Sequence, residues 1–135
     1  MNTRANVLLL VCLLVLAPLA KAGSTVCPAK NPDDANEVYN YIAKILNCAE
    51  AASVAESCAF GSSVDEDLAG KAASICLSTV TLSAGDKALM TDLSARCDKK
   101  YSEMSGSIYI SLDAFCRLGV VKLLSNLNSS PEDEG

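Results

Sequence analysis

The chain has 135 residues, half of them hydrophobic, with seven cysteines, no histidine, no tryptophan and a formal net charge of −5. The acidic balance removes the attraction on which nucleic-acid and anionic-membrane binding depends. The lack of histidine removes the commonest general base and every Ser-His or Cys-His nucleophile pair.

At the N-terminus Arg4 supplies a positive charge, residues 7–17 are almost wholly apolar, Pro18 interrupts the run, and Ala20-Lys21-Ala22 provides small residues for cleavage. Residues 1–22 are therefore expected to be a secretory signal peptide, removed before Gly23. The run is shorter than the roughly 20 apolar residues that span a bilayer, so no membrane span is expected after cleavage. Removal takes away Cys12, Arg4 and Lys21, leaving 113 residues with nine basic and sixteen acidic side chains, a net charge of −7. That is one small domain by size.

The cysteines that remain are Cys27, Cys48, Cys58, Cys76, Cys97 and Cys116. An even number in a secreted chain predicts a closed set of three disulfides. The spacing does not choose among the fifteen pairings that six cysteines allow. No two of the six form a CxxC knuckle, and without histidine no zinc site, other metal site or cofactor is expected.

In chain order, residues 23–30 read as a short extended arm. Asn31 as N-cap and Pro32 at the first helical position, followed by Asp33, Asp34 and Glu37, predict a helix start. Val38, Tyr41, Ile45 and Cys48 then recur at helical spacing. The stretch "AEAASVAESCA" at 49–59 either continues that helix or begins another after a kink. In one unbroken helix Cys48 and Cys58 would stand about 15 Å apart, beyond the roughly 7 Å a disulfide tolerates.

"FGSS" at 60–63 predicts a turn, and Ser63 with Glu66 matches a capping box. Val64, Leu68, Ala72, Ile75 and Cys76 trace the buried side of the helix that follows. Thr81 or Ser83 is expected to cap the next one, with Met90, Leu93, Cys97, Tyr101 and Met104 on its inner face. A last helix is predicted from about Ile108 to Leu127, with Leu112, Cys116, Val120, Leu123 and Leu127 on one side.

The fold expected is thus all-α: a small disulfide-stapled bundle of four to five helices over residues 23–127, with a disordered acidic tail over 128–135. Asn128-Ser129-Ser130 fits the N-glycosylation pattern, with Pro131 beside it lowering occupancy.

No catalytic site is expected. A two-carboxylate mechanism needs paired acids in one cleft, and this chain has few aromatics to wall one for sugars. Asp65-Glu66-Asp67 invites a calcium reading, but Ala69 and Cys76 fall where an EF-hand needs oxygen ligands, and acids in a first helical turn suit the helix dipole. Asp98-Lys99-Lys100 is too short and too mixed in sign to be a basic patch.

The sequence points to a secreted, cysteine-rich protein that acts by extracellular binding of a protein or receptor, as a signal, pheromone, toxin-like or host-directed factor. Two alternatives share the same composition: a carrier of a small hydrophobic ligand between its helices, and a structural or storage component of a secreted fluid.

Overall fold

Asp34, Asn47 and Ser83 each stand in extended backbone immediately before a run of helix-forming residues, and each side chain accepts a hydrogen bond from the first turn behind it. These caps set three of the five helices found among the described residues, 26–129, of the computed structural model. The helices are α1 (Ala35–Ile42), α2 (Cys48–Ser57), α3 (Val64–Ser78), α4 (Ala84–Tyr101) and α5 (Ser107–Asn128). No strand occurs among the described residues, and the fold is the all-helical, disulfide-stapled bundle the sequence predicts. The expected signal segment and residues 130–135 of the expected tail lie outside the described residues.

α1 begins later than expected. Asn31 and Pro32 belong to a turn, closed by the Asp34 amide donating to the Asn31 carbonyl at 3.2 Å. Asp34 is the N-cap, its carboxylate accepting from the amides of Asn36 and Glu37 at 2.9 and 3.3 Å. Proline suits the second position of such a turn as well as it suits a first helical position, and the better capping side chain decides between them.

The stretch after α1 begins a new helix instead of continuing the old one. α1 stops at Ile42, Ile45 is buried in the connection, and Asn47 caps α2 by accepting from the Glu50 amide at 3.0 Å. Cys48 and Cys58 stand at opposite ends of α2 and bond elsewhere.

The core is built from alanine and medium-sized aliphatics. Ala51, Ala52, Ala55, Ala69, Ala72 and Ala114 are all buried, which lets helix backbones approach closely around Val38, Ile42, Leu68 and Leu118. Each of those larger side chains contributes up to about 1.5–3 kcal/mol by leaving water. α3 is central, lying against α1, α2 and α5. α4 differs: its backbone lies against α5 alone, and Cys97 is its one buried residue.

α5 turns a different side inward from the one expected. Ser111, Ala114, Leu118, Val121, Leu124 and Ser125 are buried, whereas Leu112, Leu123 and Leu127 are 41, 51 and 70% exposed. This helix is apolar on more than one side, and the smaller stripe wins because Ala114, Ser111 and Ser125 allow α3 to come close. The face expected for α4 is also shortened: Met104 lies beyond the helix end and is exposed, while Met90 packs beside Cys48, Cys76 and Val121.

Candidate functional site

The six predicted cysteines form three bridges: Cys27–Cys58, Cys48–Cys76 and Cys97–Cys116. They fasten the N-terminal arm to the end of α2, the start of α2 to α3, and α4 to α5. The Cys97–Cys116 bridge joins an antiparallel pair, so residues equally far before Cys97 and after Cys116 stand level with each other.

Between α2 and α3 the chain uses a device the sequence reading did not find. Ser63 makes no capping bond, because its backbone is already helical and its hydroxyl cannot reach back as it could from an extended residue. The fully buried Asp65 does the work instead. Its carboxylate accepts from the amides of Phe60 and Gly61, each at 2.8 Å, from Ser62 at 3.3 Å, and from the Ser111 hydroxyl of α5 at 2.6 Å. One side chain thus closes the turn, starts α3 and ties it to α5. The legible signal was an acid just after a Gly-containing turn, in a triplet whose other members are exposed.

A second polar cluster joins α3, α4 and α5. Arg117 faces Asp113 at 2.7 Å, Asp98 at 3.6 Å and Glu66 at 3.9 Å. Burial holds the Asp113 carboxyl above its ordinary range, with the nearby Asp98 adding to the shift and Arg117 opposing it. Oδ1 of Asp113 is buried without a hydrogen-bond partner. Among the described residues no group of His, Cys, Asp or Glu has the geometry to hold a metal ion. At the mouth of α4, Ser83 and Asp86 form a complete capping box, and those hydrogen bonds lower the Asp86 carboxyl.

Open clefts occur among the described residues. One of about 260 Å³ runs between α3 and α5 over Ala69, Gly70, Ala73 and Ala114, with Glu66 and Arg117 at its edge. A wider one of about 860 Å³ lies at the end of the bundle, lined largely by polar groups including Asn47, Thr79, Thr81 and Asn126. Asn128 ends α5, its side-chain amide donating to the Leu124 carbonyl at 2.9 Å, so the nitrogen that would carry a glycan is engaged with the last turn of the helix.

The surface carries Leu112, Leu123 and Leu127 on the outer side of α5, with Ile108, which leans on the turn at Gly61, and Leu89 of α4 also exposed. Leu89 is two turns before Cys97, which sets it level with Leu123 and Leu124, two turns after Cys116. Among the described residues no helix is long and apolar enough to cross a membrane. Over the described residues the class defined is a bundle of five helices stapled by three disulfides. No family model matches the chain, and comparison with curated proteins and with solved structures finds no match.

Proposed function

We propose that this is a secreted protein that acts outside the cell by binding a protein or receptor through its helical surface, without catalysis. The three disulfides are compatible with an oxidising, extracellular setting. The observation that carries the reading is the distribution of apolar side chains. The core closes on small residues, and large aliphatics stand on the outside of α5. A carrier of hydrophobic ligands needs the reverse, an enclosed apolar hollow framed by large side chains. The absence of histidine from the sequence supports a non-catalytic role.

Two measurements test it. Native mass spectrometry of the protein from its natural secretion is expected to give an empty chain that begins at Gly23 and gains about 6 Da on reduction of three bridges. A labelled sample is expected to bind cells saturably. A retained small apolar molecule would replace this reading with the carrier.

A further inference from the structure

The unpartnered Oδ1 of Asp113 sits at the joint between α4 and the rest of the bundle. The other oxygen of that carboxylate accepts from Nη2 of Arg117 at 2.7 Å, and the same guanidinium reaches Asp98 of α4 through Nε at 3.6 Å. Two carboxylates on one planar guanidinium fork stand side by side. Both are acceptors only when ionised, so neither supplies the hydrogen that Oδ1 lacks. The groups that face the pair come from three helices: Glu66 of α3, 3.9 Å from Arg117, Tyr101 of α4, and Tyr109 with Arg117 itself of α5. Asp113 is the covered member, its side chain 17% exposed against 52% for Glu66 and 57% for Asp98. Water relieves the outer two carboxylates and leaves the inner one dry.

The joint that this pair bridges is thinly held. α4 lies against α5 alone, and Cys97 is its one buried residue. Asp98 follows Cys97 directly and Asp113 precedes Cys116 by three residues, so the pair lies within a turn of the disulfide that tethers the helix.

We propose that Asp98 and Asp113 are an acid-operated clasp: in mild acid they share one proton and fasten α4 to α5, and at neutral pH, both ionised, they let α4 open about the Cys97–Cys116 bond. The proton comes from solvent and forms one O–H bond. On either carboxyl it makes a hydrogen bond from carboxyl to carboxylate across the joint, and Oδ1 of Asp113 gains its partner. Loss of that proton leaves like charges side by side.

Opening the joint lets water reach Asp113. Burial is the main cause that raises its carboxyl, with Asp98 adding and Arg117 opposing. The closed joint therefore binds the proton more tightly than the open one, and by linkage the proton favours closure. Closure is strongest below the ordinary value of 3.8 and weakens as pH rises through the folded-state value of Asp113. Asp86, in the first turn of α4, is shifted the other way by its cap, which therefore holds throughout the range above 3.8. The change is confined to the clasped end of the helix.

Amide exchange of the oxidised chain from about pH 4 to 7, with intrinsic rates divided out, tests this. Amides of α4 around Asp98 are expected to be roughly three- to tenfold better protected at the acid end, the size of one gained hydrogen bond. Asp98→Asn, whose amide can donate to Oδ1 of Asp113 at every pH, is expected to hold α4 closed and abolish the dependence. Glu66→Gln takes a different carboxylate from the same guanidinium and is expected to leave the dependence in place. Unchanged far-UV circular dichroism confirms that both variants fold. Protection of α4 that does not vary with pH overturns the inference. A dependence that survives in Asp98→Asn, or vanishes equally in Glu66→Gln, overturns it as well. Exchange of α4 at the same rate as α3 throughout would show that α4 has no opening of its own, with the same consequence. No outcome depends on what the protein binds.

Discussion

Asp65 offers the sharpest test of how the bundle is held together. Replacing it with alanine removes the acceptor for three backbone amides and for the buried Ser111 hydroxyl. Hydrogen bonds to a charged partner contribute about 1.5–3 kcal/mol net, and a donor left buried and unpaired costs about 1–3. The turn at 60–62 is only partly buried, so its amides recover some bonding with water. Allowing about 1 kcal/mol each for the two short amide bonds, less for Ser62 and about 1.5 for Ser111, the loss is about 4 kcal/mol. Asp65→Asn, which keeps one oxygen acceptor, should cost about half as much. Ser111→Ala alone should cost about 1.5 kcal/mol, because the carboxylate keeps its amide donors. Urea unfolding of the oxidised protein measures all of these. With a slope of about 1.3 kcal/mol/M, Asp65→Ala should move the midpoint down by about 3 M. In the double variant Ser111→Ala should add little, since its partner is already gone. A loss below about 1 kcal/mol for Asp65→Ala, or full additivity with Ser111→Ala, would refute the shared-acceptor account.

Three further predictions concern other parts of the molecule. Replacing Cys97 and Cys116 together by serine opens a link between residues 19 apart in sequence and should cost about 3 kcal/mol. Amide exchange should quicken first in α4, and unchanged protection there would count against it. The raised Asp113 carboxyl makes its contribution to stability fully present below the ordinary value of 3.8 and progressively lost as pH rises through the folded-state value. Wild type should therefore gain on Asp113→Asn as the solution is acidified in a series of thermal melts, and parallel profiles would contradict the assignment. Gly61 has φ +67 and its added Cβ would sit 3.3 Å from Ile108 Cδ1, whereas Gly70 has open space. Gly61→Ala should destabilise by about 1–2 kcal/mol, and Gly70→Ala should stabilise by about 0.5–1 kcal/mol. Equal effects at the two sites would show that backbone conformation is not the deciding factor.

Much of this architecture was legible because punctuation and period agreed. Ser83, one of two capping candidates with Thr81, announced α4, and the stripe from Leu68 through Ala72 to Cys76 announced the inner face of α3. Elsewhere one residue type satisfied two local rules, and long-range contacts chose between them. Asn31-Pro32 suits a helix start or a turn, and Asp34 settled it. Asn47, with Glu50 three residues on, carried the signal for a separate α2, hidden inside a stretch of uniformly high helix propensity. Ser63-x-x-Glu66 fits a capping box, but the buried position belongs to Asp65, a choice set by Ser111 46 residues away. Local sequence cannot express that. The error in α5 has the same origin: two apolar stripes share the helix, and which turns inward depends on how closely α3 can approach.

The placement of α4 connects stability with the exposed side of α5. An amphipathic helix laid over the outer leucines of α5, which are 41–70% exposed, would have added about half of the roughly 1.5–3 kcal/mol that burying a whole leucine gives. α4 instead packs to one side. It offers one buried residue, Cys97, and is held there by a covalent bond and by the ion pair from Asp98 to Arg117. A disulfide acts largely by restricting the unfolded chain, so it can fix a mainly polar helix that has little core of its own. Its neighbour's apolar surface then stays open. Of the outer leucines of α5, Leu127, 70% exposed, contributes least to the fold that bears it. Its replacement by a polar residue should lower the unfolding midpoint less than the same change at Leu112, which is 41% exposed. An equal loss at the two sites would show that burial does not set what each leucine contributes.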